Sequence, residues 1–106
     1  MNETVRTILT ELRSRLRVLY GPRLVQLVLF GSHARGDAEP GSDIDVLVVL
    51  QGLVAPGQEI DRTGEVTAEL SLKYDAVISC TFVSTARYSI EQSPLLLNVR
   101  REGVAL

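Results

Sequence analysis

The segment from Leu24 to Leu50, LVQLVLFGSHARGDAEPGSDIDVLVVL, constrains this chain more than any other part of it. It predicts an apolar strand over Leu24–Phe30, then a Gly-Ser turn, a short polar loop, and a second strand over Asp43–Leu50. The first strand has almost no polar residue, which is typical of a central strand covered on both faces. Buried strands seldom begin with two aspartates for structural reasons, so the segment indicates a functional site.

The two aspartates, Asp43 and Asp45, are separated by one residue. Because side chains alternate between the faces of a strand, both carboxylates project to the same side, with Cβ atoms roughly 7 Å apart. Hard cations such as Mg²⁺ take oxygen ligands and usually combine one or two carboxylates with phosphate oxygens of a substrate. The pair therefore predicts a site for divalent cations.

Gly31 and Ser32, directly after the first strand, are predicted to bind the phosphates. Glycine lets the backbone approach an anion closely. If a short helix begins at Ser32, its free N–H groups and the serine hydroxyl face that anion. Arg35 lies in the same segment, where it either reaches the phosphates or pairs with Asp37, and the sequence favours neither.

The pattern of Gly-Ser, ten residues and Asp-x-Asp before an apolar run resembles the signature of the DNA polymerase beta-like nucleotidyltransferase superfamily. The fuller run GSHARGDAEPGSDIDVLVV is similar to its minimal members, the MNT proteins, and a looser likeness extends over nearly the whole chain. The resemblance implies an α/β fold with a small mixed sheet of three to four strands and flanking helices. With 106 residues, we expect one nucleotidyltransferase domain over residues 1–106.

The resemblance also implies an activity, the transfer of AMP from ATP to a hydroxyl group. In this interpretation Asp43 and Asp45 bind two Mg²⁺ ions, and the nucleotide is bound by Gly31, Ser32 and Arg35.

A third carboxylate is expected as well, because the attacking hydroxyl must lose a proton. In the superfamily it comes from the strand next to the Asp-x-Asp strand, where it also helps to bind metal. Asp75 matches that position, since Asp75–Val83 is rich in β-branched residues and predicts a third strand. Asp37, Asp61 and Glu65 are poorer candidates, because the pattern places them in a loop and on a helix.

MNT-like proteins are commonly antitoxin partners of HEPN-type ribonuclease toxins, so the resemblance implies AMP transfer to a tyrosine of such a toxin, within a homo- or hetero-oligomer. We expect no additional domain that would recognise an acceptor, which favours an acceptor presented by another protein. Two alternatives stay open. One is a non-catalytic antitoxin that neutralises the toxin by contact alone, although the carboxylates favour an enzyme. The other is a nucleotidyltransferase subunit that acts on an antibiotic or tRNA.

The net charge of −2 is unevenly distributed. Residues 1–35 carry six arginines and two glutamates, whereas residues 36–106 carry five basic and eleven acidic groups. The basic part fits either an acidic partner or the solvated face of a helix, and the overall acidity argues against direct nucleic-acid binding. No segment approaches the roughly 20 apolar residues of a membrane span, and no signal core begins the chain, so we expect a cytoplasmic location and no membrane partner.

Other reactive residues give little further chemistry. The single Cys80 excludes an internal disulfide, and with only one histidine, His33, a zinc site of His and Cys ligands is not expected. His33 follows Ser32, but adjacent side chains point apart, which argues against a nucleophilic triad. Cys80 is expected to be a small buried hydrophobic residue on its strand, and His33 a residue at the surface or at the edge of the phosphate site.

Three helices and a final strand complete the prediction. Helical spacing of apolar residues predicts a helix over residues 4–20, capped by Asn2 or Thr4 and ended by Gly21-Pro22. A weaker pattern predicts a helix over residues 58–73, and Ser93-Pro94 introduces one over Leu95–Glu102. Val104–Leu106 is expected to pair briefly with an edge of the sheet. The apolar positions assigned to the first helix are Val5, Ile8, Leu9, Leu12, Leu16 and Leu19, and those of the second are Ile60, Ala68, Leu70 and Leu72.

Overall fold

The computed structural model describes residues 1–106 as a four-stranded mixed sheet with helices on both faces. In chain order the elements are α1 (Glu3–Tyr20), a 3₁₀ turn (Gly21–Arg23), β1 (Leu24–Phe30), α2 (Ser32–Arg35), β2 (Ile44–Leu50), α3 (Pro56–Tyr74), β3 (Ile78–Ser84), α4 (Thr85–Ile90), α5 (Pro94–Glu102) and β4 (Val104–Ala105). This architecture confirms the predicted α/β fold. None of the helices combines the length and the apolar character that crossing a membrane requires.

The strand order is β3-β2-β1-β4. β1 runs antiparallel to both β2 and β4, while β2 and β3 are parallel. The predicted central position of β1 is therefore confirmed, because it has a neighbour on each side. The short C-terminal pairing is also confirmed, with Val104 opposite Leu29 and Ala105 opposite Val28.

β2 is packed on both of its faces. On one face, Ile44 and every second residue after it along β2 belong to the larger cluster of buried residues, together with apolar side chains of α1 and α3. Leu47 and Val49 point to the other face, where they meet Leu96 and Val99 of α5. By the same alternation, the Asp45 side chain lies on the α5 face of the sheet.

α1 begins and ends much as predicted. Asn2 caps the helix by accepting a hydrogen bond from the N–H of Val5 at 2.8 Å, and Gly21, with φ of 54°, ends it. One position of the apolar stripe was wrong: Leu19 is 42% exposed, and Tyr20 is buried in its place. The buried residues of α1 are Val5, Ile8, Leu9, Leu12, Leu16 and Tyr20.

The buried face of α3 differs from the predicted one. Ile60 and Leu72, which we assigned to that face, are 56% and 85% exposed. Glu59 is buried instead, and its Oε1 accepts a hydrogen bond of 2.8 Å from the Tyr20 hydroxyl. A pattern of apolar residues cannot reveal this face, because half of it is polar. Its members are Glu59, Thr63, Val66 and Leu70.

The region after β3 contains a helix that the sequence did not predict. α4 covers Thr85–Ile90 and is capped by Ser84, whose hydroxyl accepts a hydrogen bond of 3.2 Å from the N–H of Arg87. Arg100 of α5 donates to the backbone carbonyls of Tyr88 and Glu91, so α4 is tied to α5 through a long polar side chain. The helix has no fully buried residue, which explains why no hydrophobic pattern marks it.

Candidate functional site

The two halves of the Gly-Ser and Asp-x-Asp motif are in contact. In the antiparallel pairing of β1 and β2, Phe30 lies opposite Asp45, so Gly31 follows the strand directly beside that carboxylate. A Cβ atom built on Gly31 would overlap the Asp45 Oδ2 atom and lie 3.2 Å from the carboxyl carbon. Gly31 also has φ of 75°, a conformation that side-chain-bearing residues rarely adopt. Only glycine therefore fits between β1 and the carboxylate.

The short helix predicted at Ser32 is confirmed as α2. The N–H groups of Ala34 and Arg35 both donate to the Gly31 carbonyl at 3.1 Å. Helix geometry leaves the N–H groups of the first two residues, Ser32 and His33, without an acceptor inside the helix. The turn that touches Asp45 thus offers backbone donors for an anion close to the carboxylates.

His33 and Arg35 connect this turn to neighbouring segments. The His33 Nε2 atom lies 3.2 Å from the Ser42 carbonyl oxygen, which ties α2 to the end of the loop before β2. The Arg35 Nε donates to Asp37 Oδ2 at 3.3 Å, and its Nη1 lies 3.6 Å from Glu102 Oε2. These carboxylates, Asp37 above all, raise the pKa of Arg35. Of the two roles predicted for Arg35, the structure shows the ion pair with Asp37.

The two aspartates of the motif repel each other. Asp43 is exposed and precedes β2, while Asp45 is partly buried as the second residue of the strand. Burial, and after it the charge of Asp43, raise the pKa of Asp45, and the positive charges of His33 and Arg35 oppose this only in part. A divalent cation would relieve the repulsion, and two carboxylates are what Mg²⁺ takes from a protein when substrate phosphates supply other ligands. The donor set therefore fits such a cation.

Asp75 is not where the sequence placed it. It ends α3 as a cap in the left-handed conformation, with φ of 50° and ψ of 53°, and its N–H donates to the Ser71 carbonyl. β3 begins three residues later, at Ile78. In this structure no group of three His, Cys, Asp or Glu side chains is arranged to hold one metal ion, so Asp75 is not grouped with the two aspartates, and its part in binding metal stays a prediction. The predicted position of Asp75 was wrong, because the turn after α3 uses residues that we counted as strand.

Ser79 is the β3 residue that lies beside Asp45. The parallel register pairs Ile44 with Ile78 and Asp45 with Ser79, and paired residues of parallel strands point to the same face. An exposed hydroxyl thus stands where a third carboxylate was expected. The strand that we predicted from Asp75 begins only at Ile78, so Ser79 and not Asp75 is the strand residue beside Asp45.

A cleft of about 410 Å³ opens beside the motif. It is bordered by the first turns of α1, by the loop before β2, and by the segment that leads into β3. Val5 and Ile8 contribute apolar surface, and His33 and Asp75 contribute titratable groups.

Cys80 lies outside this cleft and packs against the core. Burial raises the pKa of its thiol to about 12, so Cys80 is not a nucleophile at neutral pH.

A family model for the nucleotidyltransferase domain matches residues 5–101, nearly the whole chain and both halves of the motif. The chain belongs to the nucleotidyltransferase domain family. The predicted resemblance is thereby confirmed at the level of the family, and the matched residues include Gly31, Asp43 and Asp45.

Named relatives are about one third identical to this nucleotidyltransferase domain over the aligned residues. Protein adenylyltransferase MntA of Thermococcus cleftensis is 32% identical over 82 residues, a match that covers 77% of this chain and 81% of that protein. A protein of Methanocaldococcus jannaschii named "Putative protein adenylyltransferase" is 34% identical over 93 residues, which cover 88% of this chain and 54% of that protein. The chain thus spans only about half of the length of that second relative.

Solved structures share the fold. A chain in a crystal structure of a toxin–antitoxin with AMP-PNP has a TM-score of 0.57 at 22% identity, over 89% of this chain and 68% of that chain. A chain in a structure of tri-AMPylated HEPN toxin in complex with MNT antitoxin, from Shewanella oneidensis, has a TM-score of 0.52 at 20% identity, over 96% of this chain and 67% of that chain. At these identities the likeness concerns the arrangement of helices and strands.

Proposed function

We propose that this nucleotidyltransferase domain transfers AMP from ATP to a hydroxyl group of a partner protein, a tyrosine of a HEPN-type toxin, and thereby acts as an antitoxin. The observation that carries the proposal is the contact between Gly31 and Asp45, which joins a phosphate-binding turn to a carboxylate pair. The relatives named protein adenylyltransferase support AMP as the transferred group. The fold neighbours from toxin–antitoxin complexes support the choice of partner.

In this proposal Asp43 and Asp45 hold two Mg²⁺ ions. When bound, the ions supply charge stabilisation for the phosphates during transfer. Gly31 and Ser32 bind the triphosphate through their backbone, and the partly exposed Ser32 hydroxyl adds a donor. Arg35 contributes positive charge near these groups, as its influence on Asp45 shows. The protein therefore acts mainly by positioning charge around the reacting phosphate.

The cleft of about 410 Å³ lies on the α1 side of the sheet, whereas the Asp45 side chain projects to the α5 side, so we do not place the acceptor in it. Asp75 lines this cleft and is not grouped with the carboxylate pair in this structure, so our proposal gives it no part in binding metal.

The test compares three matched substitutions in the purified chain. Each variant is incubated with ATP, Mg²⁺ and a HEPN-type toxin, and the intact mass of the toxin is followed over time. Asp43→Asn and Asp45→Asn should each slow the addition of AMP by on the order of a hundredfold or more, because charge stabilisation of the transition state depends on them. Asp75→Asn, the control, should stay within about threefold of the wild-type rate, since Asn also adopts the left-handed conformation readily.

Several results would change this assignment. Wild-type transfer rates in Asp45→Asn would show that the carboxylate pair is not the catalytic site. If the wild-type chain protects cells from the toxin without adding mass to it, the protein is a contact-only antitoxin. A large loss of rate in Asp75→Asn with normal circular dichroism would return Asp75 to the catalytic site, as the sequence first indicated.

A further inference from the structure

A second cleft, of about 460 Å³, lies between α1 and the C-terminal strand β4 and shares no residue with the carboxylate site. Three arginines of α1 line it, Arg6, Arg13 and Arg17. Leu9 and Leu106 line it as well. We call this cleft the basic groove.

The arginines of the basic groove are the only basic side chains without a partner. The chain has eleven lysines and arginines. Six of them form ion pairs with carboxylates, and two donate to backbone carbonyls. The remaining three are Arg6, Arg13 and Arg17, and no Asp or Glu is among the residues that line the groove. Unpaired positive charge is therefore concentrated in this one place on the molecule.

The spacing of the three arginines defines a row. They are seven and four residues apart, which places them on one face of the helix. At a rise of about 1.5 Å per residue, the row extends over about 16 Å. Leu9, on the same side of the helix, is buried against the core, so the accessible apolar surface of the groove comes from Val104, which is 38% exposed, and from Leu106. The groove thus combines a straight line of cations with an apolar wall.

We propose that the basic groove docks an acidic amphipathic helix of the partner protein, with carboxylates at the matching seven- and four-residue spacing and apolar residues between them. The identity of the partner rests on the proposed function. A protein helix fits better than nucleic acid, because the groove has an apolar wall and the chain as a whole carries a charge of −2. The groove would hold the toxin while the carboxylate site, on other elements, modifies it.

The test uses two triple variants with the same change in charge. The groove variant is Arg6→Gln, Arg13→Gln and Arg17→Gln. The control variant changes Arg15, Arg87 and Arg101 to Gln, and these residues form exposed ion pairs outside the groove. Calorimetry measures binding of each variant to the HEPN-type toxin at low and at high salt, and binding to Mg-ATP.

The groove variant should bind the toxin on the order of thirtyfold more weakly than wild type at low salt, about threefold for each exposed charge pair. Salt should weaken binding of the wild-type chain and have little effect on the groove variant. The control variant should stay within about threefold of wild type. Mg-ATP binding should be the same in all three proteins, which separates the groove from the nucleotide site.

Equal toxin binding by the groove variant and wild type would overturn the inference, as would failure of the wild-type chain to bind the toxin at all. A single-stranded RNA 20-mer is the second probe. If the groove variant loses RNA binding but keeps toxin binding, the groove serves nucleic acid and the inference is wrong. If toxin binding depends on the groove but no AMP is added to the toxin, the docking inference stands and the proposed transfer fails.

Discussion

Replacing Gly31 with Ala should destabilise this protein more than the same change at Gly36, which also has a positive φ but lies in open surroundings. Gly31 and Gly36 have φ of 75° and 82°, whereas ψ is −156° at Gly31 and 14° at Gly36. A Cβ on Gly36 would meet nothing within 4 Å, whereas one on Gly31 would overlap the Asp45 carboxylate. Gly36→Ala therefore measures the strain of the left-handed helical conformation alone, and Gly31→Ala measures the strain of a conformation that is essentially restricted to glycine, plus the overlap.

The expected magnitudes follow from these two costs. A left-handed conformation costs a residue with a side chain about 1–2 kcal/mol, which is the loss expected for Gly36→Ala. For Gly31→Ala the strained backbone costs about 1–3 kcal/mol. Forcing an extra carbon into an occupied space adds about 1–3 kcal/mol, so the total loss should be about 2–6 kcal/mol. The Asp45 side chain must also move, so Mg-ATP binding should fall in Gly31→Ala and stay close to wild type in Gly36→Ala.

Urea denaturation followed by circular dichroism gives the free energies of unfolding. A double-mutant cycle isolates the overlap, because Asp45→Ala removes the carboxyl atoms that the new Cβ would meet. In that background Gly31→Ala should cost only the strain, which corresponds to a coupling of about 1–3 kcal/mol between the two sites. If Gly31→Ala and Gly36→Ala lose equal stability and the cycle shows no coupling, the contact between the turn and the carboxylate is not as described.

Two further predictions concern single side chains. Folding raises the pKa of Asp45, so ionisation of this carboxyl opposes folding. Asp45→Asn should therefore be more stable than wild type at pH 7, and this advantage should disappear as the pH falls towards 3.8. Thermal melts across this pH range test the prediction, and an advantage that does not change with pH would contradict it. Tyr20→Phe should lower the free energy of unfolding by about 2 kcal/mol, because it removes a hydrogen-bond donor from the buried Glu59 carboxylate. Tyr74→Phe should lower it by less, since the acceptor of Tyr74, Glu11, is accessible to water. Equal losses for the two variants in urea denaturation would argue against this account.

The elements that the sequence predicted well are those in which apolar residues alone determine the packing. α1 and β1 bury regular apolar patterns, and β2 is apolar on both faces after Asp45. The sequence placed the Gly-Ser turn and the aspartates at the ends of two predicted strands, and the pairing of those strands then shows the contact of Gly31 with Asp45. Local strand signals and one motif were enough to define this half of the site.

The errors arose where polar residues determine the structure. The buried face of α3 includes Glu59 and Thr63, whose burial depends on partners such as Tyr20 that are distant in sequence. Asp75 lies in a turn that β-branched residues follow directly, and only the three-dimensional register shows that β3 begins at Ile78. Neither fact is encoded in the periodicity of hydrophobic residues.

The pairing of Phe30 with Asp45 has a consequence for how such a chain can vary. The distance from the phosphate turn to the Asp45 carboxylate is set by the register of β1 against β2, and the loop of residues 36–42 closes the hairpin. Insertions or deletions in that loop leave the register intact, because loop closure depends weakly on length. A shift of one residue within either strand would instead turn the carboxylate into the apolar layer beneath α1. Homologous chains can therefore differ in the length of the loop, provided that the register of β1 against β2 still places the glycine beside the aspartate.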